Sequence, residues 1–135
     1  MPKILVVIPV FNHAATVRQV VKGALQQHAQ VLVVDDGSSQ PVAALLEGLP
    51  AELLVHPENR GKGAALRSAA EWALQRGYSH IISIDADGQH DPDDLPLFLA
   101  AVAEQPQTVI VGHRNFDQQA IPGSYRFGRQ FSNFW

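Results

Sequence analysis

The 135-residue sequence contains no cysteine, which excludes disulfides, thiolate metal sites and cysteine nucleophiles together. It also lacks a long hydrophobic run. The apolar stretch that follows Met1-Pro2-Lys3 ends at Pro9 and gives way to Asn12 and His13, too short for the core of a signal peptide. No other stretch approaches the roughly 18 apolar residues of a membrane span, so the sequence reads as soluble or peripheral. An excess of positive charge is missing as well. Ten Lys and Arg against 13 Asp and Glu give a net charge of −3, and no nucleic-acid partner is expected without a basic surface to meet phosphates. Repeats, low-complexity tracts and linkers are absent up to about residue 112. What is present is 46% hydrophobic and 17% charged, the balance of a globular chain, and its length suits one domain with its own core.

Apolar runs rich in β-branched residues alternate with segments of helical period, the pattern of a parallel α/β fold. Strands are expected at 4–8, 31–35, 52–55, 80–84 and 108–111, nearly continuous in hydrophobicity as when helices cover both faces of a sheet. Between them, three sets recur at helical spacing as core-facing stripes. They are Val17, Val20, Val21, Ala24 and Leu25; Leu66, Ala69, Ala70 and Ala73; and Leu95, Phe98, Leu99 and Val102. The last helix has a legible start, with Asp91 as cap, Pro92 at the first helical position, and Asp93 and Asp94 at the positive end of the dipole.

Ligands of open parallel sheets bind outside the carboxyl ends of the strands, so polar residues are best read by the strand end they follow. Pro9-Val10-Phe11-Asn12 follows the first strand and Asp35-Asp36-Gly37-Ser38-Ser39 the second. Asn59-Arg60-Gly61-Lys62-Gly63 leads from the third into a helix, Asp85-Ala86-Asp87 follows the fourth, and Gly112-His113-Arg114 the fifth. Asp85 and Asp87, one residue apart at a strand end, suit a hard oxygen-seeking cation, Mg²⁺ or Mn²⁺, whose coordination a diphosphate would complete. An EF-hand loop beginning at Asp85 is excluded by His90 and Pro96, where glycine and glutamate are required. Phosphatases with an Asp-x-Asp nucleophile carry threonine or valine where Gln89 stands. Taken alone, the two aspartates fit a capped turn equally well. Asp36, in preference to Asp35, is placed to accept from a base N–H or a ribose hydroxyl, with a plain strand-end turn as the alternative. Lys62 stands in a glycine-bearing loop that could bring backbone N–H groups and an ammonium near phosphate, or it is a solvated charge. The loop is no P-loop, because Gly63 rather than Ser or Thr follows Lys62.

Together, Val7-Ile8-Pro9-Val10-Phe11-Asn12, Val33-Val34-Asp35-Asp36-Gly37-Ser38, Asn59-Arg60-Gly61-Lys62-Gly63 and Asp85-Ala86-Asp87-Gly88-Gln89-His90-Asp91-Pro92 resemble family 2 glycosyltransferases of the GT-A fold. The likeness is greatest to polyprenyl-phosphate (dolichol-phosphate) mannosyl- and glucosyltransferases, and it covers residues 4 to about 114. It implies a Rossmann-like, mostly parallel GT-A sheet and an inverting transfer from a GDP- or UDP-linked sugar to a lipid-phosphate or saccharide acceptor. Pro9, Val10, Phe11 and Asn12 would line the nucleotide pocket, Asp36 would contact the base, and Lys62 would sit near the phosphates. Asp85 and Asp87 would be the catalytic carboxylates, with Ala86 between them against the donor. Asp87 would be the main ligand to Mg²⁺ or Mn²⁺, joined by Asp85 and Gln89. Arg114 would reach a phosphate, although His113 departs from the family's Gly-Ser-Arg.

The tail differs in composition: four of the six Phe lie in 116–135 with Tyr125 and Trp135. Tyr125, Phe127, Phe131, Phe134 and Trp135 are spaced as one face of a helix and Arg126, Arg129 and Asn133 as another. This suggests either peripheral membrane contact through 123–135, with the arginines near lipid phosphate, or packing against a further part of the domain. The expected organisation is a nucleotide-sugar-binding core at 1–115 and, at 116–135, the start of an acceptor or membrane-interface region in a truncated chain. The expected location is cytoplasmic, at the inner face of a membrane where the tail makes that contact. Two other classes stay open: a sugar-nucleotide-binding module without turnover, and an Asp-x-Asp phosphatase or nucleotidyltransferase. The six histidines, His13, His28, His56, His80, His90 and His113, show no metal-ligand spacing and are read mostly as surface or turn residues. His90 is set apart as a structural neighbour of the Asp91 cap.

Overall fold

Six successive buried residues form strand β2 (Val31–Asp36), four of them apolar and the last two the aspartates Asp35 and Asp36. In the computed structural model, which describes residues 2–112, three more strands flank it: β1 (Ile4–Val10), β3 (Glu52–His56) and β4 (His80–Ser83). Helix α1 (Val17–Gln27) follows β1, the single turn α2 (Val42–Leu45) follows β2, and α3 (Lys62–Gln75) follows β3. After β4, a 3-10 turn at Pro92–Asp94 runs into α4 (Leu95–Glu104). The sheet is parallel throughout, in the order β3-β2-β1-β4. The chain builds outward from β1 to β3 and then crosses back to lay β4 on the other side of β1. The order therefore reverses between β1 and β4, and the crevice of an open α/β sheet lies outside such a switch point.

Alternate residues of β1 enter opposite cores. Val6, Ile8 and Val10 pack with Val31 and Val33 of β2 against Val17, Val20, Val21 and Ala24 of α1 and Leu95 and Val102 of α4. Leu5, Val7, Leu32 and Val34 pack against Ala65, Ala69 and Ala73 of α3. Helices thus cover both faces, as the continuous apolar runs imply, and each fully buried Leu, Ile or Val contributes about 1.5–3 kcal/mol. The α3 stripe is turned slightly from expectation: Ala65 is buried, and Leu66 packs at the margin. Alanines at that spacing have almost no side chain to hold the helix off the sheet.

Proline is uncommon inside a strand flanked on both sides, and Pro9 shows how it is tolerated. The Val6 N–H bonds to Gln30 on the β2 side, whereas the Val7 carbonyl accepts from Ile84 on the β4 side. Pro9, two residues beyond Val7, also faces the β4 side, where pairing has stopped with Val7 opposite Ser83. Its missing N–H costs no ladder bond. The expected helix start is found with one change. Asp91 accepts from the Asp93 N–H at 2.9 Å, but the first turn is 3-10 and the α-helix begins at Leu95.

The expected fifth strand at 108–111 is corrected by the structure. No ladder bond joins it to β4 among the described residues; the Thr108 N–H turns back to the Gln105 carbonyl, and Val109 and Val111 are exposed at 87% and 80%. Only Ile110 packs on the core. A β-branched run becomes a strand by pairing, and this one has no partner in the described sheet.

Candidate active site

The loops after β1 and β2 are laced together at the carboxyl edge. The Asn12 N–H donates to Ser38 Oγ at 3.1 Å, and Asn12 Oδ1 accepts from the Ser39 N–H at 2.8 Å. To make both bonds Asn12 takes a φ of 58°, a left-handed geometry that asparagine tolerates better than most residues. Gly37, at φ 76°, lies so close under the next loop that a Cβ there would stand 2.4 Å from the Asn59 nitrogen. A pocket lined by Asn12, Ala14, Ser38, Ser39, Gln40 and Val42 opens beside this lacing. Neither Asp85 nor Asp87 lines it.

The adjoining aspartates of β2 point to opposite faces, as strand residues must, and do different work. Asp35 holds its own turn, accepting from the Ser38 N–H at 3.0 Å and the Val42 N–H at 3.4 Å. Asp36 is wholly buried. Its Oδ1 accepts from His56 Nδ1 at 2.7 Å and the Arg60 N–H at 3.0 Å; its Oδ2 accepts from Asn59 Nδ2 at 3.0 Å and the Gly61 N–H at 2.8 Å. His56 in turn meets Ser68 Oγ of α3 through Nε2 at 2.9 Å. Reading His56 as a surface or turn residue is therefore wrong: it is 5% exposed. Its spacing carried no signal because its partners lie 20 and 12 residues away in sequence.

The loop after β4 is closed by bonds of its own and tied to two helices. The Asp85 N–H donates to His90 Nδ1 at 3.0 Å, and the Gln89 N–H to Asp87 Oδ1 at 2.9 Å, with Gly88 supplying the turn at φ 82°. Thr16, at the start of α1, donates its hydroxyl to the Ala86 carbonyl at 2.6 Å. Lys62, the first residue of α3, reaches Asp85 Oδ1 at 2.5 Å, both side chains being at most one-fifth exposed. His90 Nε2 stands 3.6 Å from the other Asp85 oxygen. The Asp85 carboxylate thus sits between an ammonium and an imidazole. His90 was expected to serve the Asp91 cap; its bond is instead to the Asp85 backbone.

The structure joins Asp85 directly to Lys62, and sets Asp87 and Gln89 in the same short loop. Asn12 belongs to the neighbouring lacing, while Asp36 lies beneath the loop that carries Lys62. The side chains of Val10 and Ala86 are in the apolar core, 0% and 1% exposed, so only their backbone can face a ligand. Pro9 is buried and Phe11 half-buried. Arg114, with His113 and the tail, falls outside the described residues. Ser38, Thr16 and Ser68 were not singled out from sequence, since a hydroxyl residue gains meaning only from the partner the fold brings to it. Among the described residues, no three acidic or histidine side chains converge to hold a cation unaided.

Compared with known proteins, residues 5–131 match the family described as Glycosyl transferase family 2. The chain belongs to that family. This family 2 chain is 36% identical over 106 residues to a polyprenol monophosphomannose synthase of Mycolicibacterium smegmatis, covering 73% of the chain and 40% of that protein. It is 31% identical over 129 residues to an undecaprenyl-phosphate mannosyltransferase of Micrococcus luteus, covering 90% and 50%. The chain therefore spans about half the length of such curated relatives. Among solved structures it resembles the glucosyl-3-phosphoglycerate synthase of M. tuberculosis, with a TM-score of 0.61 at 24% identity over 78% of this chain and 42% of that one. That likeness speaks to fold, and the expected GT-A architecture is the one observed.

Proposed function

We propose that the crevice at the β1/β4 switch point is the donor half of an inverting glycosyltransferase site, taking a GDP- or UDP-linked sugar and serving a polyprenyl-phosphate acceptor. One observation carries the reading above the others: the Asp85-Ala86-Asp87-Gly88-Gln89 loop is met across the switch point by Lys62. The Lys62 ammonium on Asp85, with the Asp87 carboxylate in the same short loop, suits a diphosphate that arrives with a divalent ion. The relatives named for polyprenol and undecaprenyl phosphate support the acceptor class.

The donor atoms in the loop fit such an ion. Asp85 and Asp87 offer hard carboxylate oxygens and Gln89 an exposed amide, a set suited to Mg²⁺ or Mn²⁺ that leaves coordination positions for phosphate. When bound, the ion would neutralise charge growing on the leaving diphosphate, a contribution of several kcal/mol. Lys62 would add its ammonium to the same oxygens after parting from Asp85. An acceptor phosphate oxygen forms the new bond to the anomeric carbon while the bond to the diphosphate oxygen breaks. Such an acceptor is already an anion and needs no general base; a sugar hydroxyl would need one. Asn12, with the Ser38–Ser39 turn laced to it, is the candidate wall for the nucleoside, and Arg114 and the 123–135 tail are candidates for the acceptor side.

The test is transfer of label from GDP-mannose, UDP-glucose and UDP-N-acetylglucosamine to a short polyprenyl phosphate, with Mn²⁺ or with EDTA. Metal-dependent labelling of the lipid is the expected result. Metal-dependent donor binding without labelling would favour a binding module without turnover, a reading that the half-length match to the relatives keeps in view. Release of inorganic phosphate from phosphate esters would instead favour the phosphatase reading.

A further inference from the structure

The Asp36 carboxylate is a hub with no acceptor position to spare. Each oxygen accepts two hydrogen bonds, from His56 and Arg60 on one side and Asn59 and Gly61 on the other, which exhausts the roughly four lone-pair sites of a carboxylate. A ligand could bond to it only by displacing one of these donors. What the carboxylate does instead is grip the loop immediately before Lys62.

Three of the four donors belong to that loop. The fourth, His56, does not. It ends β3 directly opposite Asp36 in the sheet register, so its place is set by strand pairing and not by the loop. Because the carboxylate only accepts, His56 Nδ1 carries a proton toward it, and Nε2 meets the Ser68 hydroxyl. Ser68 lies in α3, six residues beyond Lys62. Helix α3 is thereby tied to one buried carboxylate at two points, directly through the Gly61 N–H at its start and through Ser68 and His56 further along. Lys62 stands between the two anchors. The order Asp36–His56–Ser68 is also that of a hydrolytic triad, but the N–H groups around Ser68 lie inside α3. They are committed to the helix and offer no oxyanion hole.

We propose that His56, held between Asp36 and Ser68, is a positioning residue for the donor site, fixing the 59–61 loop and α3 so that Lys62 is delivered to Asp85 and the diphosphate. This deepens the proposed function and rests on it for its purpose, while the anchoring itself is a property of the fold.

Side-chain geometry supplies the test. In His56→Asn the amide nitrogen falls near the position of Nδ1 and keeps the bond to Asp36. In His56→Gln it falls near Nε2 and keeps only the reach toward Ser68, and His56→Leu keeps neither. For each variant, amide exchange at Arg60 and Gly61, affinity for GDP and UDP with Mn²⁺, and the melting temperature are measured on the whole chain. Protection and nucleotide affinity are expected to fall together by about tenfold in the Gln and Leu variants, and by no more than about threefold in the Asn variant, which gives up only the tie to Ser68. The proposal is overturned if His56→Gln retains both, or if the Asn variant loses as much as the Gln variant, which is what a role in packing alone would give. Should His56→Leu fail to fold, the comparison of Asn with Gln still decides. If the wild-type chain binds neither nucleotide, the donor-site reading fails by itself, and exchange at Arg60 and Gly61 in the same variants upholds or overturns the anchoring.

Discussion

Exchanging the Asp36 carboxylate for an amide keeps its shape and removes half of its acceptors. If the amide oxygen of Asp36→Asn takes the place of Oδ1, it keeps His56 and the Arg60 N–H, and its NH₂ then faces Asn59 Nδ2 and the Gly61 N–H. Asn59 can turn its own amide to accept, but a backbone N–H cannot. In the opposite orientation His56 can exchange tautomers, and the Arg60 N–H is the group left facing a donor. One backbone donor is orphaned either way. An unmade bond of this kind costs about 1–3 kcal/mol, and partial burial of the loop argues for the lower half of that range. The bonds that survive also lose their charge assistance. Together these give a destabilisation of about 2–3 kcal/mol, and about 3–5 kcal/mol for Asp36→Ala, which strands both N–H groups. Total stabilities are only about 5–15 kcal/mol, so either loss is readily measured. With a urea m-value of about 1–3 kcal/mol/M, the midpoint for Asp36→Asn should fall by on the order of 1–2 M, followed by circular dichroism. A shift equivalent to less than about 0.5 kcal/mol, the size of an ordinary surface substitution, would refute the hub.

Glycine substitutions separate strain from collision. Gly48→Ala, at φ 82° with nothing within 4 Å of the added methyl, should cost about 1–2 kcal/mol from the left-handed backbone alone. Gly37→Ala adds a methyl 2.4 Å from the Asn59 nitrogen and should cost more than about 3 kcal/mol, since backbone must move; equal midpoints in urea would contradict the close approach. Lys62→Met removes the cation from a pair in which neither side chain is more than 20% exposed. It should weaken GDP or UDP binding by about tenfold while strengthening binding of Mn²⁺ alone, because Asp85 is released. Nucleotide titration and electron paramagnetic resonance of free Mn²⁺ read the two effects, and unchanged nucleotide affinity would remove Lys62 from the donor site.

The sheet was legible because its signal is local: β1 and the first four residues of β2 are apolar on both faces, and Val17, Val20, Val21 and Ala24 repeat at helical spacing. The strand ends were legible for the same reason, and with them the loops holding Asp36, Lys62, Asp85 and Asp87. What failed was anything decided by a distant partner. The run at 108–111 has the composition of a strand but finds no ladder in the described sheet. His56 reads as one of several scattered histidines until strand register sets it opposite Asp36. Nor could spacing show that Asp35 serves its own turn and Asp36 the next loop; that follows from alternate side chains facing opposite cores, one with α2 and the other with the start of α3. The Lys62–Asp85 pair spans 23 residues and becomes visible only once β4 lies beside β1.

If, as proposed, the loop after β4 binds a nucleoside diphosphate through a divalent ion held chiefly by Asp87, nucleotide affinity depends on both the metal and that carboxylate. The most direct measurement is calorimetric titration of GDP and UDP into the wild-type chain and Asp87→Ala, each with Mn²⁺ and with EDTA. One nucleotide is expected to bind the wild-type chain more tightly with Mn²⁺, and Asp87→Ala to abolish this gain without lowering the melting temperature. Binding that is indifferent to both the metal and Asp87 would contradict the proposal.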